Sequence, residues 1–116
     1  MVKRAYIPER GDVVWLDFIP QAGHEQMGRR PAVILSPAKY NRIGLAICCP
    51  VTSHAKGYPF EVSLPASFDI SGVVLCDQIK NVDWKARDVK FIDRMSSTVL
   101  HSIVQRVVTL IDPKRM

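Results

Sequence analysis

The sequence predicts a mainly β chain closed by a C-terminal α-helix, and three observations carry that fold class. Short apolar runs rich in Val, Ile, Phe and Trp recur between residues 11 and 94, separated by turns containing Gly and Pro, which is the pattern of a small barrel. Beyond residue 96 the apolar period changes from two to about 3.6, the mark of an amphipathic helix. The length of 116 residues suits one hydrophobic core, so a single domain over residues 1–116 is expected.

The elements follow in order. Gly11 to Phe18 (GDVVWLDF) reads as a strand, opened by Gly11 and ended by Pro20. Ala32 to Ser36 is a second strand between Pro31 and Pro37, and the stretch to Gly44 carries turn formers with at most one helical turn. Leu45 to Val51 is a third, nearly continuous apolar strand. In Pro59 to Leu64 the alternation places Phe60, Val62 and Leu64 on one face and Glu61 and Ser63 on the other. Gly72 to Asp77 and Ile79 to Trp84 supply two further strands, and Val89 to Arg94 a weaker seventh. Val99, Leu100, Ile103, Val104, Val107, Val108, Leu110 and Ile111 fall within a helical arc of ~180°. Ser96 or Ser97 is the expected N-cap, and the helix must close before Pro113. So wide an arc has two explanations: the helix is wedged deeply into the barrel wall, or part of its face packs on a second copy of the chain.

Composition narrows the function classes. Apolar content of 47% and charged content of 23% are those of an ordinary globular protein, and no uninterrupted apolar stretch is long enough to span a bilayer. The first residues lack the apolar run of a secretory signal, and three cysteines are an odd number, so a reducing cytoplasm is expected. Cys48 and Cys49 point to opposite faces of a strand and no CxxC pair exists, so the cysteines read as structural and no metal or cofactor is expected. The net charge of +5 is uneven: residues 24–60 carry five basic side chains against Glu25. Such a cluster attracts phosphates or an acidic partner, or else is a solvated face.

That basic excess surrounds two unusual connectors. Roughly a dozen residues, Ile19 to Arg30, separate the first two strand-like runs, where ~2–5 is usual. The segment GHEQMGRRPAVILSP gathers glycines, a histidine, a carboxylate, an amide and two arginines before a strand, and Thr52 to Tyr58 (TSHAKGY) forms a second loop. Taken together, GDVVWLDF, GHEQMGRRPAVILSP, CCPVTS, KGYPFEV and CDQIKNVDWKAR resemble the MazF/PemK family of toxin endoribonucleases, in order and at matching spacing over residues 9 to about 88. The resemblance implies an SH3-like barrel with a C-terminal helix and a homodimer. It also implies metal-independent cleavage of single-stranded messenger RNA at a short base-defined site, and neutralisation by a cognate MazE-like antitoxin.

The family's essential arginine, in its R-P-A context, falls on Arg30, and its essential threonine, in P-x-T, on Thr52. Some members rely instead on the histidine of G-H-E-Q and on an R-C-D segment; here these read His24 and Leu75-Cys76-Asp77, so the arginine is replaced by leucine. That departure favours Arg30 and Thr52 for catalysis.

RNA carries its own nucleophile, the 2′-hydroxyl, so the protein must stabilise charge on phosphorus, take the 2′ proton and protonate the departing 5′ oxygen. A guanidinium offers five donors in a planar fork for phosphate oxygens, which suits Arg30 to the first task. Thr52 can donate its hydroxyl to a non-bridging oxygen, although a threonine at a strand end also commonly bonds its own backbone. Glu25 is a candidate contributor to proton transfer, and its neighbour His24 has the better matched pKa. Lys56 and Lys80 are expected to contact phosphates, Gln78 to read a base edge, and His24 and Asp77 to join them in binding RNA. Trp15 and Trp84 read as core or interface aromatics, His54 as an exposed loop residue and His101 as a helix-surface one.

Two other classes compete. One is a gyrase poison similar to CcdB, which shares the fold but works through a Trp-Gly-Ile ending, where this sequence reads Asp-Pro-Lys-Arg-Met. The other is a non-catalytic SH3-like nucleic-acid or peptide module, for which the basic balance alone would suffice.

Overall fold

A computed structural model describes residues 5–18, 28–112 and 114. It contains the strands β1 (Asp12–Phe18), β2 (Gly28–Ile34), β3 (Leu45–Thr52), β4 (Glu61–Ser63), β5 (Val73–Leu75), β6 (Lys80–Asp83) and β7 (Lys90–Arg94). A one-turn helix α1 (Ala38–Asn41) precedes β3, a 3₁₀ turn (Cys76–Gln78) joins β5 to β6, and α2 (Ser97–Ile111) follows β7. The strands are arranged β4-β5-β3-β2-β1-β7, with β6 also paired to β3, and every pairing is antiparallel.

The third strand organises the rest because it changes partner along one edge. Its first half pairs with β6 (Leu45 with Asp83 through Cys48 with Lys80), and its last two residues pair with β5 (Val51 with Val74, Thr52 with Val73). A strand shared between two sheet portions makes the corner that lets a small sheet curl. Alternation then divides the core into two. Val13, Val33, Cys49, Val51 and Val74 face α2, whose Leu100, Ile103 and Val107 complete that cluster. Val14, Leu16, Phe18, Ala32, Ile34, Ala46, Cys48, Val82 and Trp84 form the cluster on the opposite face.

Most elements stand where the sequence puts them, including the seventh strand and the single helical turn. The N-cap of α2 is Ser96, whose Oγ accepts from the Val99 N–H at 3.3 Å. Trp84 is 2% exposed and donates its indole N–H to the Asn41 carbonyl at 2.9 Å, a core aromatic as expected. One expectation is corrected. The second strand begins at Gly28 rather than Ala32, so Arg29 and Arg30 lie on a strand and not in a connector; cross-strand pairing with Asp17 and Leu16 draws them into the sheet. Of the wide apolar arc of α2, Leu100, Ile103 and Val107 are buried against the sheet, whereas Leu110 is 43% and Ile111 70% exposed, so the barrel wall covers one part of the arc and leaves its C-terminal end bare. Among the described residues no helix is long and apolar enough to cross a membrane.

Candidate functional site

The pairs Ala32–Pro50, Val33–Cys49 and Ile34–Cys48 join β2 to β3, and the ladder ends at Pro50. Proline has no N–H to give, and Pro31 and Pro50 stand in facing strands at that end. The two strands therefore fork, with Gly28 to Pro31 continuing against β1 and Val51 and Thr52 against β5. Arg30 and Thr52 each stand two residues beyond the last pair of that ladder, one on each arm of the fork. Alternation gives both side chains the same face: Arg30 lies opposite Leu16, in step with Ala32 and Ile34, and Thr52 is in step with Ala46 and Cys48.

Thr52 is 5% exposed, and its hydroxyl oxygen accepts from the His54 N–H at 3.2 Å. The backbone hydrogen bond read as the bland alternative is thus present, and it fixes the oxygen while leaving the hydroxyl proton to be donated. Close packing also holds this residue. A Cβ on Gly72 would lie 2.4 Å from the Thr52 carbonyl oxygen and 3.1 Å from its carbon, an approach that glycine alone permits.

Lys80 faces Cys48 across the β3–β6 ladder, and its ammonium lies 5.8 Å from the centre of the Phe18 ring. It shares a groove of about 490 Å³ with Asp77, Gln78, Ile79, Asn81, Val82 and Arg87. Four charged or amide side chains of that groove stand on the 3₁₀ turn and β6, while Arg87 arrives from the following turn and donates to the Asp17 carbonyl at 3.0 Å. Burial pushes the Cys48 thiol up to about 12, and the positive charges of Arg87 and Lys80 act against that rise, which places both cations near this strand. Arg87 was not singled out from sequence; its one signal was its position closing CDQIKNVDWKAR.

Lys56 lies four residues beyond Thr52, in the exposed loop that leads to β4. Its ammonium is 6.0 Å from the Tyr58 ring centre, and its backbone N–H donates to the Glu61 carboxylate. Asp77, Gln78 and Lys80 share one groove, alternation puts Arg30 and Thr52 on the sheet face that Lys80 also takes opposite Cys48, and Lys56 stands on the loop that leaves Thr52. His24 and Glu25 lie outside the described residues.

The opposite face of β1 and β2 holds a larger hollow of about 580 Å³, lined by Trp15, Arg29, Asp88 and Lys90. There Arg29 is paired with Asp17 at 3.0 Å and Asp88 at 3.5 Å, so two acids offset the two cations. Size notwithstanding, the smaller groove has the chemistry of an anion site. His54 and His101 are exposed, as expected. Among the described residues no three His, Cys, Asp or Glu side chains gather to hold a metal ion.

The family described as PemK-like, MazF-like toxin of type II toxin-antitoxin system matches residues 9–111. The chain is 51% identical over 88 residues to the endoribonuclease toxin MazF of Escherichia coli K12, covering 75% of this chain and 78% of that protein. Among solved structures it resembles MazF from Deinococcus radiodurans with a TM-score of 0.89, at 51% identity over 92% of this chain and 98% of that one. The same toxin in a MazE–MazF crystal gives 0.84 at 51% identity, over 92% and 97% of the two chains. The likeness confirms the expected fold of a mainly antiparallel sheet with a C-terminal helix.

Proposed function

The chain belongs to the PemK-like, MazF-like toxin family of type II toxin–antitoxin systems, and on that premise we propose that it is an endoribonuclease cutting single-stranded messenger RNA without a metal. The observation that carries the mechanism is the shared face of Arg30 and Thr52 at the mouth of the β2–β3 fork. The RNA's 2′-hydroxyl attacks the adjacent phosphorus, a new P–O2′ bond forms and the P–O5′ bond breaks. The products are a 2′,3′-cyclic phosphate and a 5′-hydroxyl. Arg30 donates to the non-bridging oxygens as their charge builds, and Thr52 adds a hydroxyl donor whose oxygen is held by the His54 amide. A guanidinium with pKa above ~12 does not serve as base, so the 2′ proton is assigned to Glu25, and the departing 5′ oxygen takes its proton from solvent water.

The strand to be cut runs along the face flanked by Lys56 on one side and by Lys80, Gln78 and Asp77 on the other, with His24 contributing from the first connector. Splayed single-stranded bases expose their edges, which Gln78 can read with both a donor and an acceptor. A cognate antitoxin would occupy the same positive surface and so exclude RNA; the MazE–MazF crystal of the Deinococcus relative supports a partner of that kind. A homodimer built on the exposed end of α2 and acting in the cytoplasm completes the proposal.

The test is incubation of purified protein with single-stranded RNA in EDTA, followed by mapping of cut ends. Cuts at a recurrent short site ending in cyclic phosphate are expected. Arg30→Ala should lose ~10²–10³ in rate, the usual effect of removing one transition-state donor. Absence of site-selected cuts, or an Arg30→Ala variant cutting at the wild-type rate, would refute the assignment; full activity in Glu25→Ala would remove that residue from the mechanism.

A further inference from the structure

The segment between Thr52 and β4 has no regular structure, and Ser53 through Pro59 are all exposed. Burial therefore does little to order it, yet it carries Lys56. Its hydrogen bonds converge on one side chain. The Glu61 carboxylate accepts from the Lys56 N–H at 3.0 and 3.2 Å and from the Gly57 N–H at 2.9 Å. Gly57 has φ +78, and consecutive N–H groups around such a left-handed residue form a concavity that binds anions. Glu61 fills that concavity from within the chain, while its own N–H donates to the Tyr58 carbonyl at 3.1 Å. The far end of the loop is fixed independently: the Pro59 carbonyl accepts from Arg106 Nε at 3.0 Å and the Phe60 carbonyl from the Cys76 N–H at 3.0 Å. At the near end, the Thr52 hydroxyl accepts from the His54 N–H.

We propose that Glu61 is a positioning residue for RNA binding, its carboxylate pre-folding the loop so that Lys56 is presented beside Thr52. The proposal rests on Lys56 meeting RNA phosphate, as in the proposed function above. Its content is a matter of sign. A carboxylate beside an RNA track repels phosphate, so on charge alone removing it should tighten RNA binding. If instead it preorganises the loop, removing it should weaken binding, because the RNA must then order the segment itself.

The experiment measures affinity for a 2′-O-methyl copy of an RNA that the wild-type protein binds, using Glu61→Ala, Glu61→Gln, Lys56→Ala and the double variant Glu61→Ala with Lys56→Ala. Loss of the charged acceptor should weaken binding by about five- to ten-fold in Glu61→Ala. Glu61→Gln keeps one acceptor oxygen and should recover part of that loss. Because Glu61 acts through Lys56, the double variant should bind no worse than Lys56→Ala alone. Amide exchange in the free protein supplies a readout without RNA: Lys56 and Gly57 should lose protection in Glu61→Ala, with the thermal midpoint little moved. Wild-type or tighter binding by Glu61→Ala, additive losses in the double variant, or unchanged exchange at these amides would each overturn the role of Glu61 alone. A wild-type protein that binds no single-stranded RNA would overturn this proposal and the reading beneath it together.

Discussion

Cys48, Cys49 and Cys76 are free, buried thiols, and each is held on its protonated side by desolvation. Burial pushes Cys48 up to about 12 and Cys76 up to about 11, the latter against the attraction of Arg106, and raises Cys49 further. Since the thiolate is the reactive species, the native protein should resist alkylation at pH 8, and all three thiols should react once urea unfolds it. The same shifts set the sign of an alkaline effect. An unfolded thiol loses its proton near its ordinary value of 9.0, whereas the folded one keeps it, so the folded state binds more protons above that pH. This stability is fully present below the unfolded value and is lost as pH rises toward the folded ones; Tyr6, raised by burial and by its hydrogen bond to Asp12, acts in the same direction. The thermal midpoint should fall progressively above about pH 9. A midpoint unchanged to pH 11, or rapid labelling of the folded protein at pH 8, would contradict the burial argument.

At the scale of elements, the junction of β3 with β5 is where packing meets the proposed chemistry. In Gly72→Ala the added methyl would press on the Thr52 carbonyl, and φ of +138 is one that a side chain resists, so the two strands must shift. A displacement near 1 Å at a reacting group costs ~10² in rate. Cleavage at saturating RNA should therefore fall by about that factor while the protein stays folded at the assay temperature; single-turnover kinetics beside a melting curve check it, and a wild-type rate would show that Thr52 is not held in this way. Nothing in the local sequence announced this contact, because Gly72 and Thr52 meet only through the β3–β5 register. The strands around Val13, Ala46 and Val62 were legible because their periodicity is a local property. The start of β2 was not: Gly-Arg-Arg-Pro has the composition of a turn, and it is the Asp17–Arg29 pairing across β1 that extends it. The same pairing separates two adjacent arginines onto opposite faces. Arg30 and Thr52 could be chosen one at a time from their motifs, but the face they share depends on a ladder fixed by Ile34 and Cys48, and Arg87 depends on a turn folding back to the Asp17 carbonyl.

For the molecule as a whole, the net charge of +5 acts as a field, and the fold decides where that field is useful. Residues remote in sequence, Arg30 on β2, Lys56 beyond β3, and Lys80 and Arg87 at and after β6, border the face that carries the fork, whereas Arg29 is spent on Asp17 and Asp88. A single-stranded RNA lying along such a face releases counterions for each phosphate neutralised, so log affinity should fall linearly with log salt at a slope of about −0.7 per contact. Lys56→Ala and Lys80→Ala should each flatten that slope by about 0.7, because each removes one phosphate contact. Lys114→Ala, beyond the end of α2, should leave it unchanged although it removes the same charge from the total. The comparison separates a track from a general attraction: if RNA merely sensed net charge, all three variants would shift affinity alike. Titrations of a fluorescent oligoribonucleotide from 50 to 300 mM salt, roughly the range over which surface charges become screened, decide between them. A Lys80→Ala variant with the wild-type slope would take the groove beside β6 out of the RNA path and leave the fork without one of its walls.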